Sequence, residues 1–172
     1  MNLQSAARQQ LAGSHGALGF MLGDCDAELL NKTLPRATIG SIASIYAHLV
    51  FAEDVFVHAR FQEGQPLYQS GGWEEKAGVR SPGIPPAITP EWASALKMDL
   101  PTFQPYAETV FAATDAFLAA LPDAELERKI QGATGEYTVG WGIAILLVQH
   151  AAQHSGEIAA LRGMHGLKGL PF

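Results

Sequence analysis

The sequence predicts an all-α fold, an up-down-down-up-type four-helix bundle with a long loop between the second and third helices. Apolar residues recur at helical spacing in four long segments, and no convincing series of strands interrupts them. Hydrophobic residues make up 48% and charged residues 16% of the chain, as expected for a compact globular protein. With 172 residues, the chain is expected to form one domain, 1–172, around a single core.

The first two helices are predicted over 3–30 and 39–62. The first carries an apolar stripe at helical spacing, made of Leu11, Leu18, Leu22 and Leu29. A loop at 31–38, broken by Pro35, separates it from the second helix. The stripe of the second helix includes Ile45 and Ala52. His48 lies between these two residues, so we expect its side chain to point inward, and we expect His58, on another face, to be exposed.

The segment 63–90 differs in composition, with five prolines and five glycines, and is predicted as a long loop. A third helix is expected to begin at Thr89-Pro90-Glu91, a capping residue followed by proline, and to be interrupted near Pro101 and Pro105 before it ends near Leu121. Residues 123–138 are predicted as a linker with a short helical turn at 124–128.

The last helix is predicted over 139–164, with Thr138 as its cap and Gly166 as its stop signal. Its segment 143–148 is apolar on every side. Such a helix is expected in the centre of a bundle or at a contact between subunits.

Two histidines, His150 and His154, are the most informative residues for function. They are four positions apart on the last helix, so both imidazoles lie on one face and can reach one point. His48 is placed to reach the same point from a facing helix, as in metal sites built inside helical bundles. Two histidines hydrogen-bonded in a core or at an interface would show the same spacing, so the residues alone leave both interpretations open.

Three neutral imidazoles suit zinc, nickel, copper or iron, and leave a coordination position for a small molecule. Such an ion would ease deprotonation of a thiol or a water. Glu157 could orient His154, or could be a solvated carboxylate. His15 could line the same cavity or be an ordinary core histidine, and Arg162 could bind an anionic substrate.

Several other classes of site are excluded by the residues themselves. Ala151 follows His150, so the helix lacks the glutamate of a His-Glu-x-x-His protease. No Glu-x-x-His pair of the di-iron type occurs, and no glycine-rich phosphate loop lies between a strand and a helix. The net charge of −6 without a basic stripe argues against a nucleic-acid partner.

The setting of the protein is predicted from composition. The single cysteine, Cys25, excludes an internal disulfide and fits a reducing compartment. The N-terminal residues do not form a signal peptide, and the apolar run 141–148 is too short to span a bilayer. We therefore expect a cytoplasmic protein without a membrane partner.

Two segments resemble the DinB/YfiT-like superfamily. The first runs from Thr138-Val139-Gly140-Trp141 through His150-Ala151-Ala152-Gln153-His154-Ser155-Gly156-Glu157-Ile158 to Gly166, and looks like the last helix of that family. The second, Ser41-Ile42-Ala43-Ser44-Ile45-Tyr46-Ala47-His48-Leu49 with Ala52-Glu53, looks like its second helix. The resemblance extends over nearly the full chain in the order of the elements.

The resemblance implies a four-helix bundle, often a homodimer, with a divalent metal held by His48, His150 and His154. Zinc or nickel is expected first, with iron, manganese or copper as further candidates. Characterised relatives include thiol S-transferases and a thiol-dependent isomerase, so the resemblance implies a metal-dependent S-transferase with a small-molecule thiol and an electrophile as partners. A metal-dependent hydrolase and a non-catalytic, metal-stabilised stress-response protein remain alternatives. No individual catalytic residue is identified.

Overall fold

The computed structural model of the chain describes residues 2–35, 38–132 and 135–171. Most of these residues are helical, consistent with the predicted all-α class. The helices are α1 (Leu3–Gly23), α2 (Ala27–Asn31), α3 (Ile42–Asp54, continued by a π-helical segment, Val55–Phe61), α4 (Leu67–Ser70), α5 (Trp73–Lys76), α6 (Pro90–Ala95), α7 (Leu100–Ala120) and α8, which runs over 139–164. A 3₁₀ turn, Asp123–Glu127, follows α7.

The long helices pack side by side around one apolar core. Helix α1 contacts α7 and α8, and helix α3 contacts the same two helices. The core side chains that lie between them are almost completely buried, among them Met21, Ile45, Phe103 and Ile158. This packing brings the inner faces of α3 and α8 together.

Capping residues explain where the helices begin. The side-chain oxygen of Thr138 accepts a hydrogen bond from the backbone N–H of Trp141 and so starts α8, and Thr89 accepts one from Trp92 at the start of α6. Thr138 confirms the predicted start of the last helix, whereas Thr89 caps only the short α6 and the third long helix, α7, begins separately at Leu100. The predicted first helix instead ends at Gly23, because Asp26 accepts from the N–H of Leu29 and starts the separate helix α2.

The predicted interruption near Pro101 is present as the break at 96–99 between α6 and α7, whereas the predicted interruption at Pro105 was wrong. Asp99 caps α7, Pro101 lies in its first turn, and the helix continues through Pro105. A proline in the first turn removes an N–H that would have no helical partner. The Thr109 hydroxyl donates to the carbonyl of Pro105 at 2.7 Å, and burial of Phe103 and Tyr106 on either side stabilises the helix.

A β-hairpin replaces part of the predicted linker. Strands β1 (Lys129–Gly132) and β2 (Gly135–Thr138) pair antiparallel, with Ile130 opposite Tyr137. Residues 133–134 lie outside the described residues, as do 36–37 of the predicted loop 31–38. The predicted helical turn at 124–128 corresponds to the observed 3₁₀ turn. The hairpin leads directly into α8.

The segment 63–90, predicted as a long loop, contains the short helices α4 and α5. A buried carboxylate attaches it to the core. Asp54 of α3 accepts hydrogen bonds from the backbone N–H groups of Leu67 and Tyr68, at 2.8 and 2.9 Å. The phenol of Tyr106 donates to the same carboxylate at 2.7 Å. Asp54 therefore joins α3, α4 and α7 at one point.

Within the described part of the chain, one helix, Ile42–Phe61, is long and apolar enough to cross a membrane by length and composition, with a mean hydropathy of 1.3. In the folded chain, 78% of its apolar window is buried. Burial of this kind is what the core helix of a packed bundle shows.

Candidate metal centre

His48, His150 and His154 converge between helices α3 and α8. The Nε2 atom of His150 lies 3.1 Å from Nε2 of His48 and 3.0 Å from Nε2 of His154. The ligand atoms of the three side chains all lie within 4.8 Å of one another. Among the described residues, these three form the cluster of His, Cys, Asp or Glu side chains that could hold a metal ion. The structure therefore brings together the three histidines that the sequence singled out.

Helix geometry accounts for the convergence. His150 begins the regular α-helical part of α8 directly after the π-helical segment Ile143–Gln149, and His154 follows one turn later on the same face. π-Helical segments are uncommon and are often found at functional sites. The ring of His48 meets both other imidazoles edge-on, with centroids 5.0 and 4.9 Å away.

Burial keeps two of the imidazoles neutral. Desolvation, with a smaller contribution from the neighbouring His154, lowers the pKa of His48 to about 4 and that of His150 to about 3. A metal ion binds the neutral form of imidazole, because only that form has a free lone pair on a ring nitrogen. Protons therefore compete weakly for these two nitrogens at neutral pH.

Glu157 fixes the tautomer of His154. Its carboxylate oxygen lies 2.6 Å from Nδ1 of His154. An ionised carboxylate can only accept, so Nδ1 carries the proton and the lone pair resides on Nε2, which faces His150. Of the two interpretations of Glu157, the structure supports the one in which it orients His154.

The three nitrogens form a group that could hold a divalent cation. Two nitrogen ligands each about 2.0–2.1 Å from one zinc ion can be separated by at most about 4.2 Å. The two separations from Nε2 of His150, 3.0 and 3.1 Å, lie within that limit, and all three nitrogens lie within 4.8 Å of one another. Nε2 of His48 is the atom directed at the cluster, because it is the one that lies beside Nε2 of His150. Nδ1 of His48 is buried and has no hydrogen-bond partner among the described residues. The donor set is neutral nitrogen, which suits zinc and the later transition metals.

We expect Glu157→Gln to lower the affinity for Zn²⁺ about tenfold while leaving one ion bound per chain. The amide removes the negative charge that raises the basicity of His154, but every metal ligand remains. Competition with a chromophoric chelator measures the change. Glu91→Gln, a matched substitution on exposed α6, should leave the affinity unchanged, and an equal loss in both variants would contradict the assigned role of Glu157.

The other histidines lie outside the cluster. His15 contacts Glu53, with Nε2 to Oε2 at 3.0 Å, and stacks on Phe111 with centroids 3.6 Å apart. It is therefore a core histidine with its own partner. The prediction that His58 is exposed was wrong, because its side chain is only 14% exposed and lies 2.9 Å from Asp54.

His58 and Asp54 form a pair whose strength depends on pH. Burial opposes charge on His58, but the hydrogen bond and attraction of Asp54 outweigh it, so the pKa of His58 is raised. Its contribution to stability is then fully present below the free pKa of about 6.5 and is lost as the pH rises through the raised value. We expect His58→Gln to destabilise the protein more at about pH 5.5 than at about pH 9 in urea denaturation. A difference that is constant with pH would contradict the pairing.

Arg162 does not serve as an anion site, contrary to one interpretation of the sequence. Its side chain is fully buried and binds Asp24, with the two closest atoms 2.5 Å apart. It also donates to the carbonyl of Lys168 at 3.0 Å and contacts Sγ of Cys25 at 3.2 Å. Arg162 thus joins the end of α1 to the C-terminal segment, and Cys25 lies half-buried against it.

Asp54 is the residue that the sequence analysis missed. A signal existed: an ionisable residue within the strongly apolar stretch 49–57 must have partners if it is buried.

Beside Asp54, a cavity of about 790 Å³ lies between α3 and the segment 66–84. None of the three clustered histidines lines this cavity.

Comparisons with known proteins agree with this architecture. The model of the DinB superfamily matches residues 10–158. A solved structure of a conserved protein from Enterococcus faecalis is 22% identical, with a TM-score of 0.81 over 94% of this chain and 96% of that one. A DinB-like protein of Bacillus subtilis, YjoA, is 18% identical, with a TM-score of 0.61 over 97% and 96%. No curated protein matches the chain.

Proposed function

Because the chain belongs to the DinB superfamily, we propose that it binds one divalent metal ion through His48, His150 and His154 and uses it to transfer a small thiol to an electrophile. The four long helices then form the up-down-down-up-type bundle typical of such a site. The observation that carries the proposal is the convergence of three histidine nitrogens within 4.8 Å of one another. Zinc or nickel is the ion we expect, with iron, manganese or copper as alternatives.

Three protein ligands leave room for a substrate. Among the described residues, the cluster contains no fourth histidine and no cysteine or carboxylate. Structural zinc sites are usually closed by four protein ligands, whereas catalytic sites keep a position open. The composition of the cluster therefore favours a catalytic ion over a structural one.

The bound ion would supply Lewis acidity that lowers the pKa of a thiol. The surrounding residues keep the three imidazoles ready to bind the ion. His48 and His150 stay neutral through burial, and Glu157 holds His154 in the ligating tautomer. In the transfer, the thiol loses its proton to solvent, its sulfur bonds to the electrophilic carbon, and the leaving group departs with its electron pair.

We expect added Zn²⁺ or Ni²⁺ to raise the rate at which apo-protein conjugates at least one low-molecular-weight thiol to a generic electrophile, and His150→Ala to abolish that gain. The matched variant His165→Ala, outside the cluster, should retain it. The assay follows product formation over a panel of thiols with each metal. Metal-dependent cleavage of ester or amide substrates without thiol conjugation would replace this proposal with a hydrolase, and neither activity would favour a non-catalytic metal protein.

We also propose that the protein is a homodimer. The apolar segment 143–148 of α8 is not fully covered within one chain, because Ile145, Leu146 and Val148 remain only half-buried. A second copy would cover apolar side chains of this kind. We further propose a cytoplasmic location, with no nucleic-acid or membrane partner. The net charge of −6 and the burial of Ile42–Phe61 support this part of the proposal.

A further inference from the structure

The cavity between α3 and the segment 66–84 has the dimensions of a small-molecule site. Its volume of about 790 Å³ lies within the range of roughly 300–1,000 Å³ that is typical of ligand pockets. Its lining includes Phe51 and Val55 of α3 and Val79 of the facing segment, so one part of its wall is apolar.

The walls of the cavity are held in place by hydrogen bonds. Asp54 accepts from the N–H groups of Leu67 and Tyr68 and so fixes the start of the facing segment to α3. The phenol of Tyr68 then donates to the carbonyl of Val79 at 3.0 Å, which fixes its far end. A cavity whose walls are already ordered binds a ligand at a lower cost in conformational entropy.

Two opposite charges at the cavity have no partner of their own. Glu74 and Arg80 both line the cavity and are exposed, and neither forms an ion pair with another described residue. Asp54 also lines the cavity, but its oxygens are occupied by His58, Tyr106 and two backbone N–H groups. The charges available to a ligand are therefore one anion and one cation.

Both charged residues line the same cavity as Tyr68. Burial is the main reason that the pKa of Tyr68 is raised, but Glu74 raises it further and Arg80 lowers it. A ligand beside Tyr68 would meet a carboxylate and a guanidinium at once.

We propose that this cavity binds a small zwitterionic organic molecule, with its carboxylate on Arg80, its ammonium group on Glu74 and an apolar body against Phe51 and Val55. A dianion such as phosphate would meet Arg80 but be repelled by Glu74, and a purely apolar ligand would leave both charges unused. The site is separate from the three-histidine cluster and does not depend on the proposed metal chemistry.

The probe is the dipeptide phenylalanylglycine, compared with its N-acetyl form, which lacks the ammonium group, and its C-terminal amide, which lacks the carboxylate. We expect calorimetry to show that the zwitterion binds at least about tenfold more tightly than either single-charge form. Arg80→Gln should make the zwitterion and the amide bind equally. Glu74→Gln should make the zwitterion and the N-acetyl form bind equally. Glu75→Gln and Lys32→Gln, matched exposed changes outside the cavity, should preserve the discrimination.

Titration with and without Zn²⁺ separates this proposal from the proposed function. Equal binding in both conditions supports the cavity even if the metal chemistry fails. The proposal is overturned if none of the three probes binds up to about 10 mM, if all three bind alike, or if binding occurs only in the presence of the metal, because the ligand would then occupy the histidine cluster.

Discussion

Replacing any one of His48, His150 and His154 by alanine is expected to lower the affinity for Zn²⁺ or Ni²⁺ by more than about 100-fold. Loss of a residue that merely orients a ligand typically costs 10- to 100-fold, and loss of the ligand itself should cost more. Each variant removes one of three nitrogens that lie within 4.8 Å of one another, so the three losses should be similar. Metal content after dialysis and chelator competition measure both stoichiometry and affinity.

The matched control is His15→Ala, which removes a histidine that binds Glu53 instead. It should keep full metal stoichiometry, with circular dichroism confirming that every variant is folded. If His48→Ala keeps the affinity of the parent protein, the ion is held by α8 alone and the three-ligand site is wrong.

The candidate site could be predicted because its geometry is mostly local. The spacing of His150 and His154 on one helix determines that they share a face, whatever the rest of the fold. The position of His48 within an apolar stripe indicated that it points inward. What the sequence could not provide is the distance between α3 and α8, which depends on how their side chains pack and on the π-helical segment that precedes His150.

A second large effect is expected from Asp54→Ala, which should destabilise the protein by about 3–5 kcal/mol. Asp54 is completely buried, and its removal would leave His58, the Tyr106 hydroxyl and two backbone N–H groups without their partner. The segment that begins at Leu67 would lose its attachment to α3. Urea denaturation gives the change in the free energy of unfolding.

Asp115→Ala is the matched control, because Asp115 pairs with Arg8 on the surface and both side chains are substantially exposed. It should cost no more than about 1 kcal/mol. Asp54→Asn, which keeps one acceptor oxygen, should fall between the two and remain measurable if the alanine variant does not fold. A cost for Asp54→Ala no larger than that of Asp115→Ala would contradict the role given to this carboxylate.

The elements that the sequence did not predict share a physical cause. Strands β1 and β2 have only four residues each, and each carries a single large apolar residue, Ile130 or Tyr137, which is too few for an alternation to be detected. Helix α7 continues through Pro105 because tertiary burial of its neighbours outweighs the local preference of proline. The role of Asp54 depends on Tyr106, 52 positions away, and no local pattern encodes such a partner.

A crystal structure of the Zn²⁺-loaded protein, with anomalous diffraction at the zinc edge, tests most directly whether the three histidines bind one ion. We expect one strong anomalous peak per chain, about 2.0–2.1 Å from the Nε2 atoms of His48, His150 and His154, with no fourth protein ligand. A peak bound by fewer than these three histidines, a fourth ligand from the protein, or a peak elsewhere in the chain would contradict the account.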